Sequence, residues 1–467
     1  MTRPGAPKLV RTFRRAAAAA ALLVVPVLAG AQEWGYKPGG SARLEYTDNY
    51  GLSPINKQSG TTWSVQPFIV GYRRTETSQI NLLAGIGYTA TTGVNPSNDY
   101  WTGRLAVDGS TVVERSSFGY SLGVSRDSTQ RTETQQTGVV FGSSNIRTGT
   151  TAGANYSYQL TERWNAGVFG SVYQNSYSTS GSNTSNLQDN SGYSAGGNLG
   201  YTLTPQTQLS LSASYSYYDS DITTNNSIST QLAATHQYSE RLTVSGYGGY
   251  FWSQIDATQN VPVCPTNPLL CQLGLVQPVT IPVGTNRNGN GTLFGGSVNY
   301  LASLRTTLTA NASQNITPSG TGTITKATNF NAYVNHNFSE RLRGRAGGTW
   351  TESTIPGFNT GTFKSTYYSL VVAGSYNLSD AWLLDFGYRH DYSDQRGLTA
   401  DANVVFVAIA YNWPGQSMGN WSGLDGFVFP SAASSAGRPP EAIPGQPLGA
   451  QTPVPQSAAP APESLPE

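Results

Sequence analysis

The chain has 467 residues, a formal net charge of +1, and charged side chains at only 11% of its positions, against about 25% in an average soluble protein. Near-neutrality removes the electrostatic case for nucleic acid or an anionic membrane surface as partner. Gly, Ser, Thr, Asn and Tyr dominate, so the chain has neither the apolar bulk of a large packed core nor the charge that keeps a disordered chain in solution.

The first residues read as a targeting segment. Arg3, Lys8, Arg11, Arg14 and Arg15 precede an apolar run from Ala16 to Leu28, and Ala29-Gly30-Ala31 has the small-x-small pattern of a signal-peptidase site. Residues 1–31 are therefore expected to be a signal peptide cleaved after Ala31. The 13-residue run is short of the ~20 that a membrane-spanning helix needs, and no later segment approaches that length.

Beyond it, alternation with a period of two dominates. From Gln79 to Ala90 one face is Ile80, Leu82, Ala84, Ile86, Tyr88 and Ala90, and the other is Gln79, Asn81, Leu83, Gly85, Gly87 and Thr89. Phe118, Tyr120, Leu122 and Val124 alternate with Gly119, Ser121, Gly123 and Ser125, and Leu209 to Tyr217 behaves in the same way against Gln208 to Ser216. Strands of this length suit a tilted membrane crossing better than a soluble sheet. Their second face is polar but almost uncharged, which fits a water-filled lumen.

A turn recurs along the chain: Leu160-Thr161-Glu162-Arg163-Trp164, Tyr238-Ser239-Glu240-Arg241-Leu242, Phe338-Ser339-Glu340-Arg341-Leu342 and Leu378-Ser379-Asp380-Ala381-Trp382. Looser copies lie at Leu203 to Gln206 and Ala302 to Arg305, with further turns near Thr75 and Glu114. The Ser or Thr hydroxyl can bond the backbone two residues on while the charged positions stay solvated. Eight short turns alternating with nine longer loops, among them Gln174 to Ser191 and Asp256 to Asn290, predict an all-β, antiparallel up-and-down transmembrane barrel. It would have 18 strands, or 16 at the low end, from near Gly40 to near Trp413, with both ends on the periplasmic side. Such a barrel is wide enough for an aqueous channel.

Cys264 and Cys271 sit among Pro262, Pro265 and Pro268, and in an exported protein they are expected to form a disulfide stapling a surface loop. The domain plan is then a barrel over 32–413 and a Pro/Ala-rich tail over 414–467 hanging in the periplasm.

The segment Tyr46-Thr47-Asp48-Asn49-Tyr50-Gly51-Leu52-Ser53-Pro54, the segment Ser125-Arg126-Asp127-Ser128-Thr129, and the Leu-Thr/Ser-Glu-Arg turns resemble those of outer-membrane β-barrel porins encoded with exopolysaccharide synthesis genes. The resemblance spans roughly Gly40 to Trp413. It implies a conduit for exopolysaccharide export, working beside a periplasmic polysaccharide-export protein. Other expected partners are outer-membrane lipid and the barrel-assembly machinery. Two further readings stay open: a general or sugar-uptake porin, and a structural or adhesive all-β surface protein.

No cofactor, metal or catalytic residue is expected. His236, His336 and His390 lack second ligands at metal spacing, and two of them occupy the aromatic position of the turn repeat. His390-Asp391 has no serine elbow to accompany it, and Asp219 with Asp221 reads as a solvated loop. The pore-lining candidates are charged residues on predicted inward faces, which lipid would penalise: Arg104, Asp108, Arg343, Arg345, Asp385 and Arg389. Tyr218 joins them as the inward tyrosine of its strand, where it could stack on a sugar. Such charges either pair across strands to stiffen the wall or form a filter.

Overall fold

The computed structural model describes residues 33–94, 99–129, 133–134, 145–179, 187–263, 279–318, 324–356, 362–395 and 397–412. The expected signal peptide, the pair Cys264 and Cys271, Trp413 and the tail over 414–467 lie outside the described residues.

The chain forms β1 (Glu33–Thr47), β2 (Gly60–Arg74), β3 (Ser78–Thr92), β4 (Tyr100–Val113), β5 (Ser116–Ser128), β6 (Asn145–Gln159), β7 (Trp164–Thr179), β8 (Asn190–Thr204) and β9 (Thr207–Ser220). It continues with β10 (Thr223–Ser239), β11 (Leu242–Val263), β12 (Val279–Ser303), β13 (Thr306–Pro318), β14 (Ile324–Asn337), β15 (Leu342–Pro356), β16 (Thr362–Asn377), β17 (Trp382–Gln395) and β18 (Leu398–Asn412). Each strand pairs antiparallel with its sequence neighbours, and β1 pairs with β18 from Gly39↔Asn412 to Thr47↔Val404, so the 18-stranded sheet closes on itself. Closure leaves no sheet edge, which is the condition for strands to cross a bilayer.

The predicted strand number is observed, and so is the chemistry of the turns. Thr161 Oγ1 accepts from the backbone N–H of Arg163 (3.3 Å) and Trp164 (3.1 Å), Ser339 Oγ from those of Arg341 (3.3 Å) and Leu342 (3.0 Å), and Ser379 Oγ from those of Ala381 (3.3 Å) and Trp382 (3.2 Å). Each hydroxyl thereby satisfies amides that the reversing backbone leaves without ladder partners. His236 and His336, in the aromatic position of this repeat, face outward and bond Thr207 and Thr306 across the neighbouring strand, each at 2.8 Å.

The start of the first strand and the opposite, loop end depart from expectation. The first strand begins at Glu33 instead of near Gly40, because Lys37-Pro38 continues in register with Val70 and Ile69 of β2. Proline is tolerated there, where a ladder bond can be spared. Two of the nine supposedly long loops are brief: only two residues separate β9 from β10, and two separate β17 from β18. Most of Asp256 to Asn290 is paired strand, with Asp256↔Asn286 through Val263↔Val279 extending the β11–β12 hairpin beyond its neighbours. The Asn-, Gly- and Pro-rich composition disguised those strands as loop.

The exterior is apolar between two aromatic belts. Exposed Leu44, Ile86, Leu105, Val168, Leu232 and Val405 all lie on one phase of their strands. Trp164–Tyr201 (4.6 Å) and Trp382–Tyr411 (5.1 Å) mark the short-turn end, and Trp63–Tyr88 (5.5 Å), Tyr88–Trp101 (4.9 Å) and Tyr368–Tyr392 (4.7 Å) mark the loop end. This is the architecture of an outer-membrane barrel.

Candidate functional site in the lumen

On the inward phase small polar residues meet across strands. Hydroxyl pairs Ser171–Ser194 (2.8 Å), Ser214–Ser229 (2.8 Å), Ser216–Ser227 (2.6 Å) and Ser245–Ser297 (2.6 Å) tie adjacent strands together. An all-polar lumen is not what the structure shows, however. In β18 the inward side chains Val404, Phe406, Ala408 and Ala410 are buried and apolar.

All seven sequence-predicted lining residues, Arg104, Asp108, Tyr218, Arg343, Arg345, Asp385 and Arg389, fall on the inward phase of their strands. Asp108 accepts from Asn81 at 2.9 Å. The Arg345 guanidinium lies 4.0 Å over the Tyr333 ring, a cation–π contact. Asp385 accepts from the Ser375 hydroxyl, and Ser375 is also in register with Arg343, so Arg343 and Asp385 occupy one row two strands apart. Arg343 itself stands exposed near the short-turn end.

Arg389 belongs to a larger cluster. Its Nε donates to Asp391 at 2.8 Å and a terminal nitrogen lies 3.5 Å from Glu45, which in turn pairs with Arg43 at 2.9 Å. Tyr367 donates to the other oxygen of Asp391 at 3.1 Å, and Arg43 stacks 4.1 Å over Phe406. Two arginines and two carboxylates thus neutralise one another along the wall of β16–β18 and β1. Arg43, Glu45 and Asp391 were missed as site residues. Their signal was present in Arg43-x-Glu45 and Arg389-x-Asp391, each pair two residues apart and therefore on one face of a strand. Joining the pairs required the β1–β18 closure. The same alternation dismisses His390-Asp391 as a dyad, since His390 faces outward towards Tyr368 and Asn403 while Asp391 faces inward.

A second cluster occupies another part of the 18-strand ring, around β6 to β8. Glu133, from the connection between β5 and β6, has 2% of its side chain exposed and contacts Arg147 at 3.3 Å. Tyr177 donates to it at 2.7 Å. Arg147 also donates to Asn175 (3.1 and 2.9 Å), which donates to Asn190 at 2.9 Å. Tyr177 lies on the inward phase of β7, but Glu133 is a partner that strand periodicity could not supply, because it comes from between strands.

Burial follows height in the barrel. Near the loop end the inward Tyr100, Asn145, Asn175, Tyr218, Asn225, Phe251, Thr351, Tyr367 and Ala402 are all buried, all round the ring, whereas near the short-turn end Arg343 is exposed and inward side-chain burial is confined to the β17–β18 wall, at Leu383, Asp385, Ala408 and Ala410. A wide empty bore would leave the loop-end side chains wet. The lumen is narrowed at its loop end.

The Tyr46–Pro54 segment seals the β1–β18 seam at this end. Asp48 accepts from the backbone N–H (2.7 Å) and side-chain amide (2.6 Å) of Asn403, Asn49 donates to the Asp401 carbonyl (2.8 Å), and Lys57 pairs with Asp401 at 2.7 Å. Partial burial pushes the Asp48 carboxyl up, but the Asn403 amides and Lys57 outweigh it and hold the group below the ordinary carboxylate range. A depressed value stabilises the fold above the unfolded pKa of about 4 and ceases to do so as pH falls through the folded value. The urea midpoints of the wild type and Asp48→Asn are therefore expected to differ at neutral pH and to converge on acidification below that range. A gap that persists at low pH would remove the carboxylate from the account of the seam.

Among the described residues no three of His, Cys, Asp and Glu are grouped as a metal site requires. Residues 5–218, under half of the chain, match the family model described as the MetA-pathway of phenol degradation. No curated protein matches the sequence. Among solved structures the chain is similar to OccAB1 of Acinetobacter baumannii, at 11% identity over 81% of this chain and 96% of that one, with a TM-score of 0.42. It is similar to the outer membrane protein opdK of Pseudomonas aeruginosa, at 11% identity over 81% and 99%, TM-score 0.42. It is also similar to the ferric-catecholate import receptor Fiu of E. coli K12, at 10% identity over 80% and 81%, TM-score 0.40. At such identities and scores, the assignment of the barrel rests on its own closed strand ladder.

Proposed function

We propose that the protein is an outer-membrane diffusion porin for small solutes, with its short turns and both barrel ends in the periplasm. The observation that carries this reading is the narrowing at the loop end, where inward side chains are buried round the ring and Glu133 reaches the wall. A passing polysaccharide needs a continuous wide bore, whereas small solutes need only a constriction with polar groups to exchange for their hydration. The export conduit is accordingly the weaker reading. The seven inward residues Arg104, Asp108, Tyr218, Arg343, Arg345, Asp385 and Arg389 are proposed to line the path together with Arg43, Glu45, Glu133, Arg147 and Asp391. The description of the matching family makes phenol-sized aromatics the first solutes to try.

The test is reconstitution of the full chain into planar bilayers and liposomes. Stepwise ion conductance, with swelling in a monosaccharide or phenol and none in a dextran polymer, is the expected result. Passage of dextran, or loss of surface polysaccharide on gene deletion restored by complementation, would favour the export conduit. Absence of any conductance would remove the pore altogether.

A further inference from the structure

The β2–β3 ladder is continuous in register from Thr61↔Thr92 to Arg74↔Gln79 except at one place: between Val65↔Tyr88 and Phe68↔Gly85 no pair forms. The residue there is Pro67, which has no amide hydrogen to donate. On its other edge the same residue remains paired with Gly40 of β1, so the interruption belongs to the β2–β3 contact alone. In lipid an unmade ladder bond is costly and persists only where protein or a cavity covers it.

A small pocket of about 50 Å³ lies at this interruption. Its lining includes Phe68, Leu83 and Arg104 from the inward phase and Pro67, Ile86, Gly103 and Arg126 from the outward phase. Side chains that would thicken the wall are missing: Gly85 and Gly87 face the lumen, and a Cβ built on Gly103, on the lipid side, would meet nothing within 4 Å. Over Gly87 the wall is completed by the side chains of Gln66 and Thr102, at 2.6 and 2.5 Å from the site of a Cβ, and side chains can swing where backbone cannot.

We propose that this is a lateral window, through which a small apolar solute passes between the lumen and the outer leaflet. Phe68, Leu83 and Ile86 give such a solute an apolar passage, Gln66 and Thr102 form its movable inner cover, and the missing Pro67 amide keeps the strands from zipping shut. A polar solute has no reason to enter lipid there and stays on the axial path. The inference rests on the reading of the lumen as a diffusion pore, but its readout is separate.

The experiment uses the full chain in the outer membrane of a Gram-negative host and follows uptake of naphthalene, beside ion conductance of the purified barrel. Gly103→Phe fills open space on the lipid side, and Pro67→Val restores the amide; heat-modifiable gel migration confirms that each variant is folded. Wild type is expected to speed naphthalene entry over cells without the protein. Gly103→Phe is expected to return entry to that background while conductance is kept, and Pro67→Val serves as the deciding variant should Gly103→Phe fail to fold. Naphthalene entry unaffected in the folded variants, or no faster with wild type than without it, overturns the window. Absent conductance in the wild type would instead sink the pore reading, with the naphthalene result still deciding the window.

Discussion

Arg389→Ala is expected to lower the stability of the folded barrel by about 3 kcal/mol, because removing one partner of a buried ion pair strands the other. Asp391 and Glu45, with 10% and 15% of their side chains exposed, would lose the cation they share. Glu45 would retain Arg43, and Asp391 would retain only its bond from Tyr367. The measurement is the urea midpoint in lipid vesicles, read from the heat-modifiable band. The double variant Arg389→Ala/Asp391→Ala should recover part of the loss, since no carboxylate is then left stranded. An unchanged midpoint for Arg389→Ala would show that lumen water screens the cluster and that it does not stiffen the wall. The cluster also spans the seam between first and last strands, so its loss should appear as earlier exchange of β1 and β18 amides.

Glu133→Ala should act on the channel more than on the barrel. Glu133 is held by Arg147 and Tyr177, and losing a pair buried to this degree costs about 3 kcal/mol, roughly a hundredfold in the ratio of held to released states. With that contact gone the constriction is expected to widen, and Arg147 to lose the carboxylate it contacts, which raises the positive potential along the path. Single-channel conductance should rise and selectivity should shift towards anions. Glu133→Gln separates the two effects: it keeps the hydrogen-bonding shape and removes the charge, so selectivity should shift with a smaller change in conductance. If neither variant alters conductance or selectivity, Glu133 lies off the permeation path.

The strand count and the turns were legible because both depend on local chemistry. Alternation such as that of Ile80 to Ala90 records which side of a strand meets lipid, and the Ser or Thr of each turn bonds amides only two or three residues away. The inward phase of all seven predicted lining residues followed from the same period of two. Composition misled where it stood in for pairing: Asp256 to Asn290 looked like a loop and is largely hairpin, because backbone pairing across β11 and β12 asks little of the side chains.

What the sequence by itself determined is therefore the barrel: a closed sheet with an apolar exterior, polar hydroxyl ladders within, and short Ser/Thr turns at one end. The tertiary structure alone decided what the lumen contains. Arg389 finds Glu45 only because β18 brings chain positions 45 and 389 together, Glu133 reaches Arg147 from between strands, and Pro67 interrupts a ladder whose register no local pattern prints. The physical reason is range: periodicity reports the solvent on each side of a strand, whereas pore shape and charge pairing depend on contacts between residues far apart in the chain.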